Sequence, residues 1–488
     1  MKKLNLTYFK SPLLFILLFN LQLFAQVGIG TTVPDPSSIM DISSTSHGVL
    51  FPRMTSVQRT AISSPASGLV VYDTTLNGVY VYDGTQWIDA SPDVQIRDNY
   101  KIIKSTADLA DELVAGLGAK YLLDSNTLYE VNGAVALAFP IELNNAYILG
   151  RDTNEDILSS AGGTIFTGTT GGSIKGLTLS APGGTVFNLS GASTENLIFR
   201  DSVIASSGIV GSISGFGLVF TSIVQYVGNQ NGITYNNIDS LLLSNLGWSN
   251  TNLGTYETFT GTFTLIQKVS GFSNVDGSAI GIDVSSNPTV MNGVLISTAF
   301  SGTSTEYVKR YGTGSFDGYN FTNAWTVNCP GIPQESDNNA TANIYYDGGI
   351  TTGFVQSVSN SSEFNLDGNT TPNNTTAVNM FRATSPQNNR ITYTGKKTRT
   401  FQVSAALSIR GNSGTGDYYA FFIKKNGNTT LIETNSLMRV NTTTDISSHA
   451  ISGTVELEPN DYIEIWGQRL IGSGTTSITV FSSNLSIK

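Results

Sequence analysis

Few residues in this 488-residue chain have the types and spacing that catalysis or metal binding requires. The two histidines, His47 and His449, are far apart in the sequence, so a histidine-based triad or a histidine-rich zinc site is hard to build. We expect both to be surface or turn residues. The single cysteine, Cys329, has no basic residue close to it in the sequence, which predicts a buried or half-buried thiol rather than a nucleophile.

Carboxylates are the remaining catalytic candidates, because enzymes that cleave glycans use two or three of them on one face. The acidic residues that could form such a group are Asp152, Glu155, Asp156, Asp239, Asp276 and Asp283. The first three have the composition of a solvated turn, and Asp276 precedes Gly277 as turn residues do. Asp283 lies in a strand-like run. We therefore expect no catalytic residue, no metal and no cofactor, and a glycan-cleaving enzyme is the alternative.

Four tryptophans could stack on sugar rings: Trp87, Trp248, Trp325 and Trp466. Tryptophan contributes more often to core or interface packing, and we expect that role here.

The elements that position these residues are expected to be short strands joined by polar turns, because the composition of the chain is typical of such structure. Hydrophobic residues make up 40% of the chain and charged residues only 13%, with 50 glycines. A helical bundle would need long runs of Ala, Leu, Glu and Lys. The net charge of −10 and the absence of a basic patch exclude nucleic acid from the expected partners.

The N-terminus has the features of a secretory signal peptide. Lys2, Lys3 and Lys10 precede an apolar stretch, residues 13–25, which is short and interrupted for a membrane span. We predict residues 1–25 as the signal peptide, with an uncleaved anchor as the alternative. The mature chain is then expected to be secreted or held at the bacterial cell surface, with no transmembrane segment.

Residues 26–92 form the first predicted unit, a module for surface display or attachment. Two runs rich in Val and Tyr flank Asn77-Gly78, a dipeptide that favours a hairpin because both residues tolerate positive φ. The strings VGIGTT, MDI, GVLFPRMT and YVYDGTQW follow in order. They resemble an N-terminal module of exported, tail-fibre-like surface proteins of Gram-negative bacteria. The resemblance implies attachment or display and no catalytic residue.

Residues 93–125 are predicted to be a linker with one short helix that covers the end of the next unit. Ser105 and Asp108 have the spacing of a capping box. Leucines then recur at helical spacing and two glycines end the pattern: Leu109, Leu113, Leu117, Gly116 and Gly118.

Residues 126–305 contain a loose repeat of short apolar strands, which predicts a solenoid. The repeat is marked by Leu177, Leu197, Leu218, Leu241 and Leu265. We interpret it as a right-handed parallel β-helix, in which each coil hides its apolar face only by stacking on the next. A leucine-rich repeat needs an asparagine ladder, which the pattern does not show, and a β-sandwich with irregular loops is the main alternative.

Residues 306–345 are expected to be an irregular transition, and residues 346–488 a jelly-roll head. Many strand-like runs at short spacing favour a β-sandwich or jelly roll. The segments FFIKKNG and SGTVELEPNDYIEIW, followed by a C-terminal strand, resemble the C1q/TNF-like jelly roll. That resemblance implies a compact homotrimer with ligand-binding loops. Pro459-Asn460 departs from the small residues usual there, which puts the shape of that loop in doubt.

Alternation along residues 461–466 assigns two faces to one head strand. Ile463 and Ile465 are expected to enter the sandwich core. Tyr462, Glu464 and Trp466 are then expected to form part of a trimer interface, since Tyr and Trp favour interfaces.

Taken together, the patterns predict an all-β protein with a display module, a β-helical shaft and a jelly-roll head. Few charges and many strand edges favour burial against other copies, and we expect a homotrimer. The predicted function is that of a fibre or adhesin-like structural protein that binds a glycan or protein partner. A tailspike-like glycan depolymerase is one alternative. A phage tail-fibre virion protein is another, which the signal peptide argues against.

Overall fold

A computed structural model of the chain describes residues 26–90, 98–368 and 375–488. The predicted signal peptide lies outside these residues. The chain divides into an N-terminal unit, residues 1–96, and a C-terminal unit, residues 97–488. The predicted all-β fold is confirmed: a parallel β-solenoid precedes an antiparallel jelly-roll sandwich. No helix in the described ranges is long and apolar enough to span a membrane.

The N-terminal unit has two small sheets and one short helix. A parallel pair precedes a four-stranded sheet, and the elements are β1 Val27–Ile29, β2 Met40–Ile42, β3 Arg53–Met54, α1 Ser56–Thr60, β4 Val70–Asp73, β5 Gly78–Tyr82 and β6 Trp87–Asp89. The predicted hairpin joins β4 to β5, with Asn77 at a φ of 55° and Asp73 paired with Gly78. Thr55 and Gln58 cap α1 reciprocally, through hydrogen bonds between each side chain and the other's N–H.

Two parallel sheets form the walls of the solenoid. The long sheet contains β7 Tyr100–Ile103, β9 Leu128–Val131, β10 Ala134–Ala136, β12 Tyr147–Leu149, β13 Ile157–Ser159, β15 Gly172–Lys175, β16 Thr178–Ser180, β18 Asn196–Ala205, β20 Leu218–Val227, β22 Ser240–Trp248, β24 Thr262–Asn274, β26 Thr289–Ile296, β27 Ala299–Ser301 and β29 Trp325–Asn328. The nine-stranded sheet contains β8 Tyr121–Leu122, β11 Ile141–Glu142, β14 Thr164–Gly168, β17 Thr185–Ser190, β19 Ile209–Ser214, β21 Ile233–Asn236, β23 Thr255–Thr260, β25 Ile280–Asp283 and β28 Val308–Lys309.

The stacking places equivalent residues of successive coils in columns, because neighbouring strands lie about 4.8 Å apart with their side chains in step. One interior column of the long sheet contains Leu197, Val219, Leu241 and Ile266. All four are fully buried and belong to one continuous core. Each coil therefore shares its core with the coils on both sides, as the predicted solenoid requires.

The five leucines that mark the repeat in the sequence do not form one column in the structure. Leu197 pairs with Gly172 rather than aligning with Leu177, and the N–H of Leu177 instead donates to the hydroxyl of Ser202. Leu218 and Leu265 stand one residue before the interior positions, paired with Ser240, and alternation turns them outward.

A short asparagine ladder, which the sequence analysis did not find, closes one turn of the solenoid. Asn229 and Asn252 are buried, and the Nδ2 of Asn229 donates to the Oδ1 of Asn252 at 2.9 Å. The Nδ2 of Asn252 donates in turn to the carbonyl of Tyr226 at 2.7 Å. These bonds satisfy backbone groups that the turn leaves unpaired.

The N-terminal end of the solenoid is covered by the predicted helix, which is shorter than expected. Ser105 and Asp108 form the capping box of a 3₁₀ turn over Thr106–Leu109, and α2 follows over Ala110–Ala115. Leu109 is buried in the solenoid core, whereas Leu117 lies beyond the helix and is 92% exposed.

The parallel stack is longer than the predicted shaft of residues 126–305. It begins at β7, inside the expected linker, and ends at β29, inside the expected transition segment. Turns of unequal length hid these outermost coils from a search for a fixed period.

The head is a sandwich of two antiparallel sheets around one core. One sheet contains β30 Thr341–Asp347, β31 Phe354–Val358, β33 Thr376–Phe381, β36 Arg399–Gly411, β39 Ser447–Leu457 and β41 Thr476–Ile487. The other contains β32 Glu363–Asn365, β34 Ala383–Thr384, β35 Arg390–Tyr393, β37 Tyr418–Lys425, β38 Thr429–Arg439 and β40 Tyr462–Ile471. Phe401 and Val403 of the first sheet pack with Phe421 and Ile463 of the second.

Buried polar contacts join the solenoid to the head. The guanidinium of Arg382 in the head contacts the carbonyl of Trp325 in the last solenoid strand and the carboxylate of Asp337 in the segment that leads to β30. The Nδ2 of Asn323 donates to the carbonyl of Thr394 at 2.9 Å. The two parts are therefore fixed to each other by hydrogen bonds as well as by chain connection.

Candidate self-association surface

Several of the candidate carboxylates make contacts within turns and between neighbouring coils. Asp156 accepts from the N–H groups of Gly133, Arg151 and Asp152, and these bonds outweigh burial and lower its pKa. Asp283 accepts from Ser285 and contacts the Nζ of Lys309 at 3.3 Å.

Two of the remaining acidic candidates, Asp152 and Asp276, show the same pattern. Asp276 accepts from the backbone of Thr303 in the next coil, which lowers its pKa. The carbonyl of Asp239 accepts from the N–H of Leu265. Asp152 accepts from the N–H of Asn154 in a local turn. Over the ranges that the structure describes, three or more His, Cys, Asp or Glu side chains do not gather as a metal site would require.

The tryptophans of the solenoid are core residues, as expected. Trp248 is fully buried between Tyr226, with ring centroids 3.8 Å apart, and Tyr256, at 4.9 Å. Trp325 is buried and donates from its Nε1 to the hydroxyl of Tyr311. Neither ring is accessible to a sugar.

Cys329 is buried, as predicted, and burial raises the pKa of its thiol. His47 is exposed and contacts the hydroxyl of Ser46. His449, expected to be a surface or turn residue, is half-buried and lies in β39, where it pairs with Leu407 and its ring contacts Phe421. Burial there lowers the pKa of His449.

In the head, β40 divides its side chains between two faces. Ile463 and Ile465 lie in the sandwich core. Glu464, on the other face, is buried within its own chain. Its carboxylate accepts from Arg390 at 2.7 Å and from the Nε1 of Trp466 at 3.0 Å.

The rings on either side of Glu464 are half-buried. Arg390 lies over the ring of Tyr462 at 3.7 Å, and Lys424 lies over that of Trp466 at 4.4 Å. The role of this face in a trimer stays a prediction, and it depends on Tyr462 and Trp466 rather than on Glu464.

The N-terminal unit has many more exposed than buried large hydrophobic side chains. Within residues 26–90, Val71 is the one large hydrophobic residue that is buried. The exposed ones are Val27, Ile29, Val33, Ile39, Met40, Ile42, Val49, Leu50, Phe51, Val57, Leu76 and Ile88. Ile39 is 81% exposed and Leu50 is 78% exposed. Exposure of this many apolar side chains in a small unit favours association with another chain.

A buried ion pair takes the place of an apolar core in this unit. The Nε of Arg59 contacts the Oδ2 of Asp73 at 2.8 Å, and both side chains are buried. Burial by itself would raise the pKa of Asp73. The hydrogen bonds from Arg59, Ser56 and two backbone N–H groups outweigh that effect and lower the pKa to about 2.

Aromatic rings complete this arrangement. The guanidinium of Arg59 lies 4.0 Å from the ring centre of Tyr80 and 5.6 Å from that of Trp87. Cation–π contacts of this kind fix Arg59 in place. They also leave the aliphatic side chains of the β1–β2 pair and the following loop without cover from their own chain.

The exposed apolar side chains of this unit suit self-association. We define the association surface as the exposed apolar residues of 26–90 named above. The sequence analysis identified the module from its motifs but did not find this surface. A count of apolar residues against the few positions that a 65-residue fold can bury would have indicated it.

One family model matches the chain over residues 28–104, and its description is a phage tail-like trimerisation region. The match covers all of the association surface except Val27, and it includes the first strand of the solenoid, β7. No curated protein is similar to the chain in sequence.

Several solved structures resemble parts of the chain. The Eiger TNF of S. frugiperda is 12% identical, with a TM-score of 0.22, over 31% of this chain and 93% of its own. The vertex protein P5 of phage PRD1 is 12% identical, with a TM-score of 0.20, over 30% of this chain and 96% of its own. The enzymatically active domain of tailspike protein 4 from bacteriophage CBA120 is 11% identical, with a TM-score of 0.17, over 90% of this chain and 77% of its own. With superpositions this weak, we infer function from the chain's own residues and from the family match.

Proposed function

We propose that the mature chain is the subunit of an exported homotrimeric fibre. Its N-terminal unit is the element that holds three copies together, its solenoid is the shaft, and its jelly roll is the head. The observation that carries the proposal is the association surface, which coincides with the matched trimerisation region.

The physical reason is burial. An N-terminal unit with one buried hydrophobic side chain and twelve exposed ones gains little from folding alone. Association around a threefold axis would cover several of these side chains in each copy and give the unit the core that it lacks.

The proposed role of the head is contact with a glycan or protein at the cell surface or outside the cell. The support is its position: buried contacts through Arg382 fix it to the C-terminal end of the solenoid, opposite the end at which the stack begins. Loops supported by a rigid sandwich are the usual place for such contacts. The basic and apolar N-terminus supports export.

The experiment is the mass in solution of residues 26–488 with and without changes in the association surface. Ile39→Asp combined with Leu50→Asp is expected to convert a trimer into a monomer, because both side chains are exposed in the single chain and covered in the assembly. The matched control is Leu117→Asp, since Leu117 is equally exposed but lies outside the matched region. A trimer that survives the double substitution would refute the assignment of this surface.

A further inference from the structure

The two walls of the solenoid present very different side chains to the outside. Successive residues of a strand point alternately inward and outward, and stacked coils align the outward ones in a column. On the nine-stranded sheet, the outward column that runs through most of the strands consists of Thr167, Asn188, Ser212, Thr234, Thr258, Asp283 and Lys309, and exposed Ile209 lies outside it. Every residue of this column is polar or charged, as expected of a wall that faces water.

The equivalent column on the long sheet is mostly apolar. It consists of Leu128, Tyr147, Ser173, Ile198, Phe220, Leu242, Gln267, Val294 and Thr326. Leu218 and Leu265 also face outward in the column on one side of it, among polar residues, and the column on the other side contains Lys175 and Arg200. Both walls enclose the same core, so the fold itself does not demand apolar residues on the outside of one wall.

This column is accessible in the single chain. Tyr147 is 59% exposed, and Ile198, Phe220 and Leu242 are half-buried. Neighbours in the column shield one another at the strand spacing, which accounts for the partial burial of these side chains. At its N-terminal end the wall forms a groove of about 450 Å³, with Leu128 and Phe220 in its lining.

We propose that this outer face of the long sheet is where the shafts of neighbouring copies contact each other. The inference rests on the proposed trimer and extends it beyond the N-terminal unit. The occupant is a second copy because the matched trimerisation region extends into the first strand of this same sheet. The matched trimerisation region ends in β7, and Tyr100 of β7 pairs with Leu128, the first residue of the column.

The extent of the matched region constrains how the shafts of neighbouring copies are placed. Chains held together as far as residue 104 place their first coils side by side, and the apolar column starts one strand later in the same sheet. The arrangement of lowest free energy turns the apolar wall of each shaft toward its neighbours and leaves the polar wall in water.

The test is the rate at which a maleimide labels a cysteine placed on each wall of residues 26–488. Leu242→Cys reports on the apolar column, and Thr258→Cys is the matched control, since both positions are half-buried in the single chain. Buried Cys329 stays in place, and the unsubstituted chain measures its background. We expect labelling at residue 242 to be at least tenfold slower than at residue 258 in the trimer.

A third variant distinguishes failure of this inference from failure of the proposed function. In the Ile39→Asp, Leu50→Asp background, a monomer is expected to label residue 242 as fast as residue 258. Equal rates in a chain that light scattering shows to be trimeric would overturn the shaft contact and leave the trimer intact. Slow labelling that persists in the monomer would also overturn it, because the protection would then come from the chain itself. Val294→Cys repeats the measurement at a second position of the column.

Discussion

Removing one partner of the ion pair inside the solenoid is expected to destabilise its central coils strongly. Lys268 occupies an interior column, between Leu243 and Leu295 of the adjacent strands. Its Nζ lies 3.0 Å from the Oε2 of Glu257, and both side chains are almost completely buried. The Nε1 of Trp248 also points at this carboxylate, at 3.4 Å.

The expected magnitude follows from the cost of an unpaired buried charge. Lys268→Met leaves the carboxylate of Glu257 without its cation, which typically costs about 3–5 kcal/mol. Glu257→Leu leaves the ammonium group unpaired at a similar cost. Replacing both partners with apolar residues of similar volume is often nearly neutral. The double variant should therefore be much more stable than the sum of the single variants predicts.

Native-state hydrogen exchange of the amides in β22 and β24 is the suitable assay, because a solenoid need not unfold in one step. A loss of about 3 kcal/mol corresponds to roughly 100-fold faster exchange. We expect that acceleration in each single variant and much less in the double variant. If the effects of the two single substitutions simply add in the double variant, the pair is not coupled and this account of the solenoid interior is wrong.

Three further predictions concern pH. Hydrogen bonds, including the one from Arg59, lower the pKa of Asp73 to about 2, so the ionised carboxylate stabilises the N-terminal unit above pH 3.8 and this stabilisation is lost as the pH falls toward 2. Fluorescence of Trp87, which lies beside Arg59, should report the resulting acid unfolding of the N-terminal unit. Asp73→Asn should abolish this acid transition. Burial lowers the pKa of His449, so the head should lose stability as the pH falls below 6.5, and His449→Leu should give melting temperatures that vary less between pH 8 and 5. Burial raises the pKa of Glu335 to about 7 despite two backbone N–H donors, so its stabilisation is present below pH 4.5 and lost as the pH rises through 7. Glu335→Gln should flatten that dependence in thermal unfolding; an unchanged profile would contradict the assignment.

Local signals in the sequence predicted local structure well. Asn77 adopts positive φ before glycine in the hairpin that its dipeptide indicated, and Asn426 does the same in the hairpin that joins β37 to β38. The capping box of Ser105 and Asp108 also forms. In each case the deciding interaction lies within a few residues, so neighbouring sequence contains the information.

The register of the solenoid could not be predicted for a physical reason. Strands of the long sheet are apolar on both faces, so Leu218 and Leu265 fit an interior pattern as well as Val219 and Ile266 do. A one-residue slip exchanges the two faces. The same ambiguity hid the outward apolar column from the sequence analysis.

Contacts between distant residues were beyond the reach of the sequence pattern. The Lys268–Glu257 pair and the contacts of Arg382 depend on coils and sheets that only the fold brings together. The association surface was missed because the sequence shows which residues are apolar but not how few of them a small unit can bury.

The mass of residues 26–488 in solution, measured by sedimentation equilibrium at micromolar concentration, tests the central claim most directly. Three chains for each particle is the predicted result. A particle of one chain, with the apolar side chains of its N-terminal unit facing water, would contradict the account.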